Sequence, residues 1–498
     1  MQESLLVQTL AALTPHERQE MYPFLHCSLY NGGKHARQIL ALFTLLDGYI
    51  GQQNGDIPEK ARVYEALNPG KTYRQGYFEN RMSDLLGIVR QFLTYREINL
   101  RWGTTFEGLV MARFYRERGL PERSKQVINR TKTEHYTSVD HPDERHLLGF
   151  WLEQEISIQE CLNNRRKGDL NVPDTLQALT VFYGHKLLEL ASVWFQQQQV
   201  VPNLESHWEP FMDQFRETLR DNAHFDDPAI FMLDEALKLL KSTPENPKLA
   251  LEDFLDKFSK HEAALSPTLQ KILAAYTRNF CVRHGHLLDG AFRLTLYKEH
   301  LDKGWLYEQG KLQPTTFINL VNISLNLGET DWLWVFIQTH QDKIEGEQAE
   351  HLLLYGLARY YFQTGDWNKA AEGILETRKL PKLSDTGLEK LVRILEIKTL
   401  YELDPLGDRL ENALNNFTMS IQRNKRGLIE KHRRMGNNFI AIVRQMIRFH
   451  DHARLRELDV VKLQKTLGQV EDVAFPVSER HWLCEKLTAL QAIKPRKR

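Results

Sequence analysis

The stretch LARYYFQTGDWNKAAEGIL, residues 357–375, places strong limits on how this chain folds. Ala358 and Ala370 flank Gly365, and aromatic side chains lie between them. Two antiparallel helices joined by a tight turn approach each other closely only where the facing side chains are small. Glycine adopts, without steric cost, the left-handed backbone that often ends a helix. The stretch therefore predicts a helix pair in which Ala358 faces Ala370, Gly365 makes the turn, and larger side chains fill the surrounding space: Tyr361, Trp367 and Ile374.

The same spacing of small and large residues occurs a second time, near residue 120. The equivalent positions are Ala112, Tyr115, Gly119, Ser124 and Ile128. Looser copies occur around Gly328 and within residues 391–417. Self-similarity with a period of ~34 residues is typical of helical solenoids. The repeats therefore predict an all-α fold, a superhelix of antiparallel helix pairs.

The rest of the chain also has helical periodicity. Apolar residues recur at helical spacing, as in the stripe of Leu85, Val89 and Phe92, and no useful length of alternating strand pattern is present. Near the start, Thr14 is predicted to cap a helix that begins at Pro15 and has Glu17 three positions after the cap. We expect an N-terminal helical module at residues 1–100, helical repeats at 101–490 and a basic tail at 491–498.

Two resemblances follow from these segments. The positions around Ala358 and Ala112 resemble the tetratricopeptide repeat pattern. The blocks LTPHERQEMYPFLHCSLYN, NRMSDLLGIVRQFLTYREI and LARYYFQTGDWNKAAEGIL, in this order, resemble an uncharacterised family of tetratricopeptide-like helical-repeat proteins of similar length, common in Bacteroidota. The second resemblance implies a helical-repeat fold and a cytoplasmic setting, and it implies no catalytic residues.

The candidate binding residues lie on the first helix of each repeat, which lines the concave groove of a tetratricopeptide solenoid. By this resemblance, Tyr355, Arg359 and Gln363 belong to the groove, as do Arg113 and Arg116 in the early repeat. Between these repeats, three asparagines share one helix face and can hold a peptide backbone through both donor and acceptor groups: Asn319, Asn322 and Asn326. Arginine binds a carboxylate through two hydrogen bonds. The alternative is that all eight are ordinary polar residues on a solvated surface.

Charge does not predict a partner, because Lys plus Arg equals Asp plus Glu at 65 each. The distribution is uneven, however. Basic residues are in excess at 60–130 and 423–456, and acidic residues are in excess at 202–262. The N-terminal module is predicted to be either a helix-turn-helix-like or winged-helix-like unit or a plain helical cap. A nucleic-acid-associated adaptor is therefore the alternative function, although solvated helix faces also explain such zones.

Motifs for chemistry are largely missing from the sequence. There is no phosphate-binding glycine loop, no nucleophile elbow and no HExxH motif. The four cysteines are far apart, which is typical of a reducing compartment. Three groups of residues near histidines have side chains that can bind a cation, but such groups are more typical of polar helix ends. They are Asp140, His141, Asp143, Glu144 and His146; Cys281, His284, His286 and Asp289; and His450, Asp451 and His452. His185 is predicted to be a core histidine. We predict no metal and no cofactor.

The compartment is predicted from what the chain does not contain. Its first residues lack the basic and apolar regions of a signal peptide. No apolar run reaches the ~20 residues needed to cross a bilayer, so we expect no membrane partner. The predicted function is that of a non-catalytic, cytoplasmic protein–protein interaction scaffold that binds a peptide or helix of another protein in its groove. An enzyme with a site invisible in sequence is the third possibility, and the oligomeric state is left open.

Overall fold

The structure is a computed structural model that describes residues 1–51, 57–138, 143–163, 168–200, 208–220, 227–285, 287–346, 348–380, 386–423, 430–450, 457–472 and 474–491. Helices dominate these residues, and the all-α prediction is confirmed. The described ranges contain no helix that is both long enough and apolar enough to cross a membrane. The predicted basic tail lies almost entirely outside the described residues.

The chain divides into two compact units. Unit 1 comprises residues 1–241 and 254–269, and unit 2 comprises 242–253 and 270–498. The division therefore falls within α11 (Pro247–His261) and α12 (Pro267–Arg283).

Unit 1 contains ten complete helices among its described residues. They are α1 (Leu5–Ala12), α2 (Pro15–His26), α3 (Ala36–Ile50), α4 (Lys60–Leu67), α5 (Gln75–Glu117), α6 (Pro121–Thr137), α7 (Arg145–Asn163), α8 (Val172–Val200), α9 (Glu209–Arg220) and α10 (Pro228–Lys241).

Unit 2 contains a further ten complete helices in its described part. They are α13 (Gly290–Asp302), α14 (Pro314–Leu327), α15 (Thr330–His340), α16 (Ala349–Gln363), α17 (Trp367–Thr377), α18 (Thr386–Leu403), α19 (Asp408–Arg423), α20 (Glu430–His450), α21 (Glu457–Glu471) and α22 (Arg480–Gln491). One short antiparallel hairpin, β1 (Tyr307–Glu308) and β2 (Lys311–Leu312), precedes α14.

The N-terminal hundred residues have a hydrophobic cluster of their own, which extends from Leu6 to Phe92. Helix α2, the second helix of this module, begins at Pro15 with the predicted Thr14 cap. The Thr14 Oγ1 accepts a hydrogen bond from the Glu17 backbone N–H at 3.2 Å, and the Thr14 backbone N–H donates to Glu17 Oε2 at 2.7 Å. The long helix α5 is interrupted at Gly103, where φ is 50° and ψ is −148°. This kink lies close to the predicted boundary at residue 100, which stays a prediction.

The predicted close approach of paired helices occurs in both units. Ala358 and Ala370 have no exposed surface and lie on α16 and α17, which pack against each other. In the early copy, Ala112 and Ser124 are equally buried, and the Ser124 hydroxyl donates to the Ala112 carbonyl at 2.5 Å. Small residues therefore lie at the contact in both helix pairs. Of the predicted large side chains, Ile374 is buried, whereas Tyr361 and Trp367 are only half-buried.

The turns of these pairs also match the prediction. Gly365 and Gly119 have φ of 82° and 74°, in the left-handed region. The N–H of the residue after each glycine donates to the carbonyl five positions earlier, from Asp366 to Tyr361 and from Leu120 to Tyr115, both at 2.9 Å. This is the hydrogen bond of a Schellman motif, in which glycine satisfies the free carbonyls of the helix end. Gly328, with φ of 74°, ends α14 by the same bond.

Alternate helices of unit 2 also meet. The helix α14 contacts α16, and α16 in turn contacts α18, in addition to the contacts between consecutive helices. Gly356 permits the first of these contacts, because a Cβ at this position would lie 2.9 Å from the Phe317 ring. The side chains of α14, α16 and α18 are thereby brought together, although the loops between the helices separate them in sequence.

We predict that Gly108→Ala destabilises the protein. A Cβ at this position of α5 would lie within 3 Å of three side-chain atoms of the buried Thr131 on α6. Overpacking of this kind costs about 1–3 kcal/mol, which exceeds the gain of about 1 kcal/mol in helix propensity. Urea denaturation measures the change.

The matched control is Gly87→Ala in the same helix, where a Cβ meets no atom within 4 Å. This variant should gain about 0.5–1 kcal/mol in the free energy of unfolding. Equal effects of the two substitutions would contradict the close packing of α5 on α6.

Candidate functional site

The three predicted asparagines lie on α14 and differ in exposure. Asn319 is half-buried, and its Nδ2 donates to the Tyr297 hydroxyl at 3.5 Å. Asn322 is half-buried and Asn326 is exposed. One side of α14 therefore presents amide groups, of which Asn326 is the most accessible.

The three predicted residues of α16 differ more strongly in the exposure of their side chains. Tyr355 is only 2% exposed and belongs to the hydrophobic cluster of unit 2, so the prediction that its side chain lines an open groove is wrong. Gln363 is exposed at the end of the helix. Arg359 is half-buried, and its Nη1 lies 3.8 Å from Glu479 Oε1.

The Glu479 carboxylate contacts a second cation, which sequence reasoning missed. Lys398 on α18 places its Nζ 2.5 Å from Glu479 Oε2, and the lysine is buried. Two cations, one from α16 and one from α18, thus converge on a single carboxylate. Lys398 and Glu479 are 81 positions apart in the chain, and no sequence motif links them.

Electrostatics keeps the Glu479 carboxylate charged. Burial alone would raise the pKa of this carboxyl, but the positive charges of Lys398 and Arg359 outweigh burial and lower the pKa. Burial lowers the pKa of Lys398, an effect that the Glu479 charge partly offsets. The cluster is therefore an intrachain ion-pair network in which two cations share one carboxylate.

The backbone and the neighbouring helix fix Glu479 in this position. Its φ of 56° is in the left-handed region, which is unfavourable for a residue with a side chain, and it directly precedes α22. Trp482 on α22 donates from Nε1 to Glu402 Oε1 at 2.8 Å, and Lys486 contacts the same oxygen at 2.8 Å. The start of α22 is thus attached to α18 by several polar contacts.

The two arginines predicted in the early repeat lie in unit 1. Arg113 is exposed, and its Nε donates to Glu117 Oε1 at 2.9 Å along the same helix. Arg116 binds the buried Glu155 of α7 through Nε at 2.6 Å and Nη2 at 3.3 Å. Of this pair, Arg113 is the more accessible to a ligand, while Arg116 joins α5 to α7.

The basic zone at residues 60–130 is partly balanced by intrachain ion pairs. Examples are Lys60–Glu79 at 2.9 Å, Arg96–Glu17 at 2.8 Å, Arg101–Glu97 at 3.1 Å and Arg130–Glu134 at 2.7 Å. Part of the second zone, residues 424–429 and 451–456, lies outside the described residues. These pairs reduce the positive charge that the described part of the zone offers to phosphate.

The histidine groups do not assemble into a metal site in the part of the chain that is described, where no three His, Cys, Asp or Glu side chains lie close enough to hold an ion. Asp140, His141, His286, Asp451 and His452 lie outside the described residues. Among the rest, His450 Nε2 forms a hydrogen bond with the Tyr401 hydroxyl at 2.8 Å, His284 packs on Phe280, and His185 is buried as predicted.

Unit 1 also contains a polar cavity of about 410 Å³ that sequence reasoning did not find. Its walls come from α6, α7, α8 and the start of α10: His135, Tyr136, Arg145, His146, Gly149, Glu153, Asp174, Gln177, Ala178, Val181 and Asp227. The Tyr136 hydroxyl donates to Glu153 Oε1 at 3.1 Å, and Lys132 contacts the same carboxylate at 2.9 Å. The one indication of this region in the sequence was the polar DERH segment, residues 143–146, which contributes Arg145 and His146 to the cavity wall.

Burial holds two groups of this cavity, His135 and Tyr136, in their neutral forms. Burial lowers the pKa of His135 to about 4, with smaller contributions from Arg145 and His146. Burial likewise lowers the pKa of His185, next to His146, to about 3, and it raises the pKa of Tyr136. Neutral histidine and neutral tyrosine at physiological pH suit hydrogen bonding to a polar group, and we assign no reaction to them.

The comparisons with known proteins returned no match: no family model, no curated protein and no solved structure is similar to this chain.

We predict that the protein loses stability between pH 6.5 and pH 4. In the unfolded chain, His135 and His185 titrate near 6.5, whereas in the folded protein they titrate at about 4 and 3. The unfolded state binds more protons in this range, so each histidine removes about 1.4 kcal/mol of stability per pH unit as the pH falls below 6.5. Urea denaturation at pH 7, 6 and 5 measures this slope.

Two variants identify the source of the pH dependence. His185→Gln should make it less steep, because the glutamine takes up no proton. His26→Gln changes an exposed histidine and should leave the slope as in the parent protein. If His185→Gln and the parent protein give the same slope, the buried neutral histidine is not its cause.

Proposed function

We propose that this protein is a non-catalytic, cytoplasmic interaction scaffold, built as a tetratricopeptide-like solenoid, that binds an extended peptide of another protein on the face formed by α14 and α16. The observation that carries the proposal is the convergence of Arg359 and Lys398, from alternate helices, on the Glu479 carboxylate at 3.8 and 2.5 Å. The adjoining surface formed by α16 and α18 already binds an acidic side chain from a connecting segment of the chain itself.

The pattern of helix contacts in unit 2 supports the solenoid. In a stack of helix pairs, the first helices of successive pairs lie side by side, and contacts of α14 with α16 and of α16 with α18 are of this kind. The helix pair α16–α17, with its small residues and glycine turn, is the repeating unit of the stack. The proposed membership in the Bacteroidota helical-repeat family rests on the resemblance of the three sequence blocks.

The position of the amide groups supports the choice of face. Val321 of α14 and Gly356 of α16 meet at the contact between the two helices. A helix turns by about 100° per residue. In a stack whose alternate helices run parallel, Asn322 lies one step after Val321 and Arg359 three steps after Gly356, so both lie on the same side of the contact. Tyr355 also points to this side but is buried, so it does not contribute to the accessible surface.

The accessible groups on this face define the ligand chemistry. Asn326 and Gln363 are exposed and Asn322 is half-buried, and each amide offers both a donor and an acceptor. Such groups bind the N–H and C=O groups of an extended peptide. Glu479 already occupies the Arg359–Lys398 end, so we place the partner peptide over α14 and the adjoining part of α16.

The nucleic-acid adaptor and the enzyme remain the alternatives. The first is less favoured, because many of the described basic residues near 60–130 are paired with acidic ones. In the described part of the chain, the cavity around His135 is the feature that bears on the second, and we assign no reaction to its groups.

We predict that Asn322→Asp together with Asn326→Asp weakens partner capture about tenfold, a loss of about 1.4 kcal/mol. The substitution keeps the side-chain shape but replaces two N–H donors by negative charge. Affinity capture from extracts of the producing cells, with quantification by mass spectrometry, measures the effect.

Asn368→Asp is the matched control, since Asn368 is an exposed residue of the second helix α17. It should capture as much partner as the parent protein. We avoid Arg359→Glu as the primary test, because Arg359 contacts Glu479 and its replacement would disturb the fold. If the double variant and the parent protein capture equal amounts of partner, the partner does not bind on this face.

We also predict negligible retention on duplex or single-stranded nucleic acid at physiological salt, because the chain carries equal numbers of basic and acidic residues and many of its basic residues are in ion pairs within the chain. A heparin column and a DNA column measure retention. Tight binding that falls steeply with salt concentration would favour the adaptor instead.

A further inference from the structure

Helix α8 in unit 1 has two apolar faces, of which the fold uses one. Its inner face packs on neighbouring helices through Gly184, Leu188 and Ser192, all of them buried. A Cβ at Gly184 would lie 3.2 Å from Leu219 of α9 and 3.8 Å from Ile230 of α10, so this face is tightly covered. One such face is sufficient to hold a helix in a globular core.

The opposite face of α8 carries a second row of apolar side chains, which are exposed. We call this row the α8 stripe; it consists of Val172, Leu176, Leu179, Tyr183, Leu190 and Val193, with Lys186 in the remaining position. Leu176 is 58% exposed and Leu190 is 64% exposed. The spacing alternates between four and three residues throughout, which is the a/d pattern of a coiled coil.

The α8 stripe is longer than the scattered apolar residues of an ordinary surface. At 1.5 Å per residue, it extends for about 32 Å along the helix. Contiguous exposed apolar patches larger than a few hundred Å² are rare on monomeric proteins and mark interaction sites. A seam with heptad spacing is complementary to another helix with the same spacing, because each side chain fits between four residues of the facing helix.

Helix α9 extends this surface on one side. The Phe215 ring lies 5.1 Å from the Tyr183 ring in an edge-to-face arrangement, and Phe211 and Trp208 continue the row with exposed rings. The buried Asp234 anchors α9 through Arg216 at 2.6 Å. The aromatic edge is therefore held in place beside the α8 stripe.

We propose that the α8 stripe is a self-association surface, on which the α8 stripe of a second copy of this chain docks in antiparallel orientation. In this register Leu176 faces Val193 of the second copy, Leu179 faces Leu190, and Tyr183 faces Lys186. Two identical copies related by a two-fold axis satisfy this pairing at both ends of the seam. The proposal is independent of the peptide-binding face on unit 2.

The charge on the stripe favours a second copy over an acidic partner helix. Lys186 Nζ lies 2.8 Å from Glu189 Oε2 on its own helix, so its charge already has a counter-ion. The seam therefore needs no carboxylate from the partner. In the antiparallel register, the lysine stem and ammonium lie against the Tyr183 ring of the second copy, which is a favourable cation–π arrangement.

Sedimentation velocity of the full chain over a range of concentrations tests the proposal. The parent protein should sediment as a dimer that dissociates on dilution. Leu190→Glu should raise the dissociation constant at least ~10-fold, since it places a charge in the seam. Leu190→Gln, a milder change of the same exposed residue, should weaken the dimer in the same direction, and unchanged circular dichroism of both variants verifies the fold.

Val335→Glu is the matched control, because Val335 is an equally exposed apolar residue on α15, outside the stripe. It should leave the dimer intact. A monomer at every concentration of the parent protein, or a dimer that Leu190→Glu and Val335→Glu affect equally, would overturn the proposal.

Cross-linking tests the orientation, in a Cys27→Ser background because Cys27 is exposed. In the antiparallel register, the double variant Leu179→Cys/Leu190→Cys should form disulfide-linked dimers on mild oxidation, and Leu190→Cys alone should not. Efficient cross-linking of Leu190→Cys alone would indicate a parallel seam and overturn the antiparallel proposal.

Discussion

The structure depends on helices that approach each other closely where their side chains are small. In unit 2, Ala358 and Ala370 are wholly buried between α16 and α17, and in unit 1 Ala112 and Ser124 are buried between α5 and α6. Where a pair is closest, as at Gly108, even a methyl group does not fit. Each such contact buries apolar surface on both helices and excludes larger side chains, so it determines which residues face neighbouring helices.

The proposed peptide-binding face of unit 2 follows from this packing. Because α14, α16 and α18 lie side by side, polar residues from separate parts of the chain meet on one surface. Arg359 and Lys398 reach the same carboxylate only because their helices are neighbours. A charged lysine that is buried is stable only with a partner, and Glu479 supplies it from the segment before α22. The proposed peptide site adjoins this cluster.

Local features of the fold were predictable from the sequence, and contacts between distant residues were not. The Thr14 cap, the Gly365 turn and the burial of Ala358 depend on neighbouring residues or on one helix pair, and all three predictions are confirmed. The burial of Tyr355 and the Lys398–Glu479 contact depend on which helices become neighbours. The α8 stripe was missed because α8 is apolar on two faces, which hides the heptad spacing in the sequence.

The most direct test of close helix packing is the free energy of unfolding of Ala358→Leu, compared with Glu372→Leu, which adds the same side chain to an exposed position of α17. If α16 and α17 meet at Ala358, the leucine there overpacks the contact and lowers the free energy of unfolding by about 1–3 kcal/mol, whereas Glu372→Leu changes it by less than about 0.5 kcal/mol. Equal free energies of unfolding for Ala358→Leu and the parent protein would contradict the account.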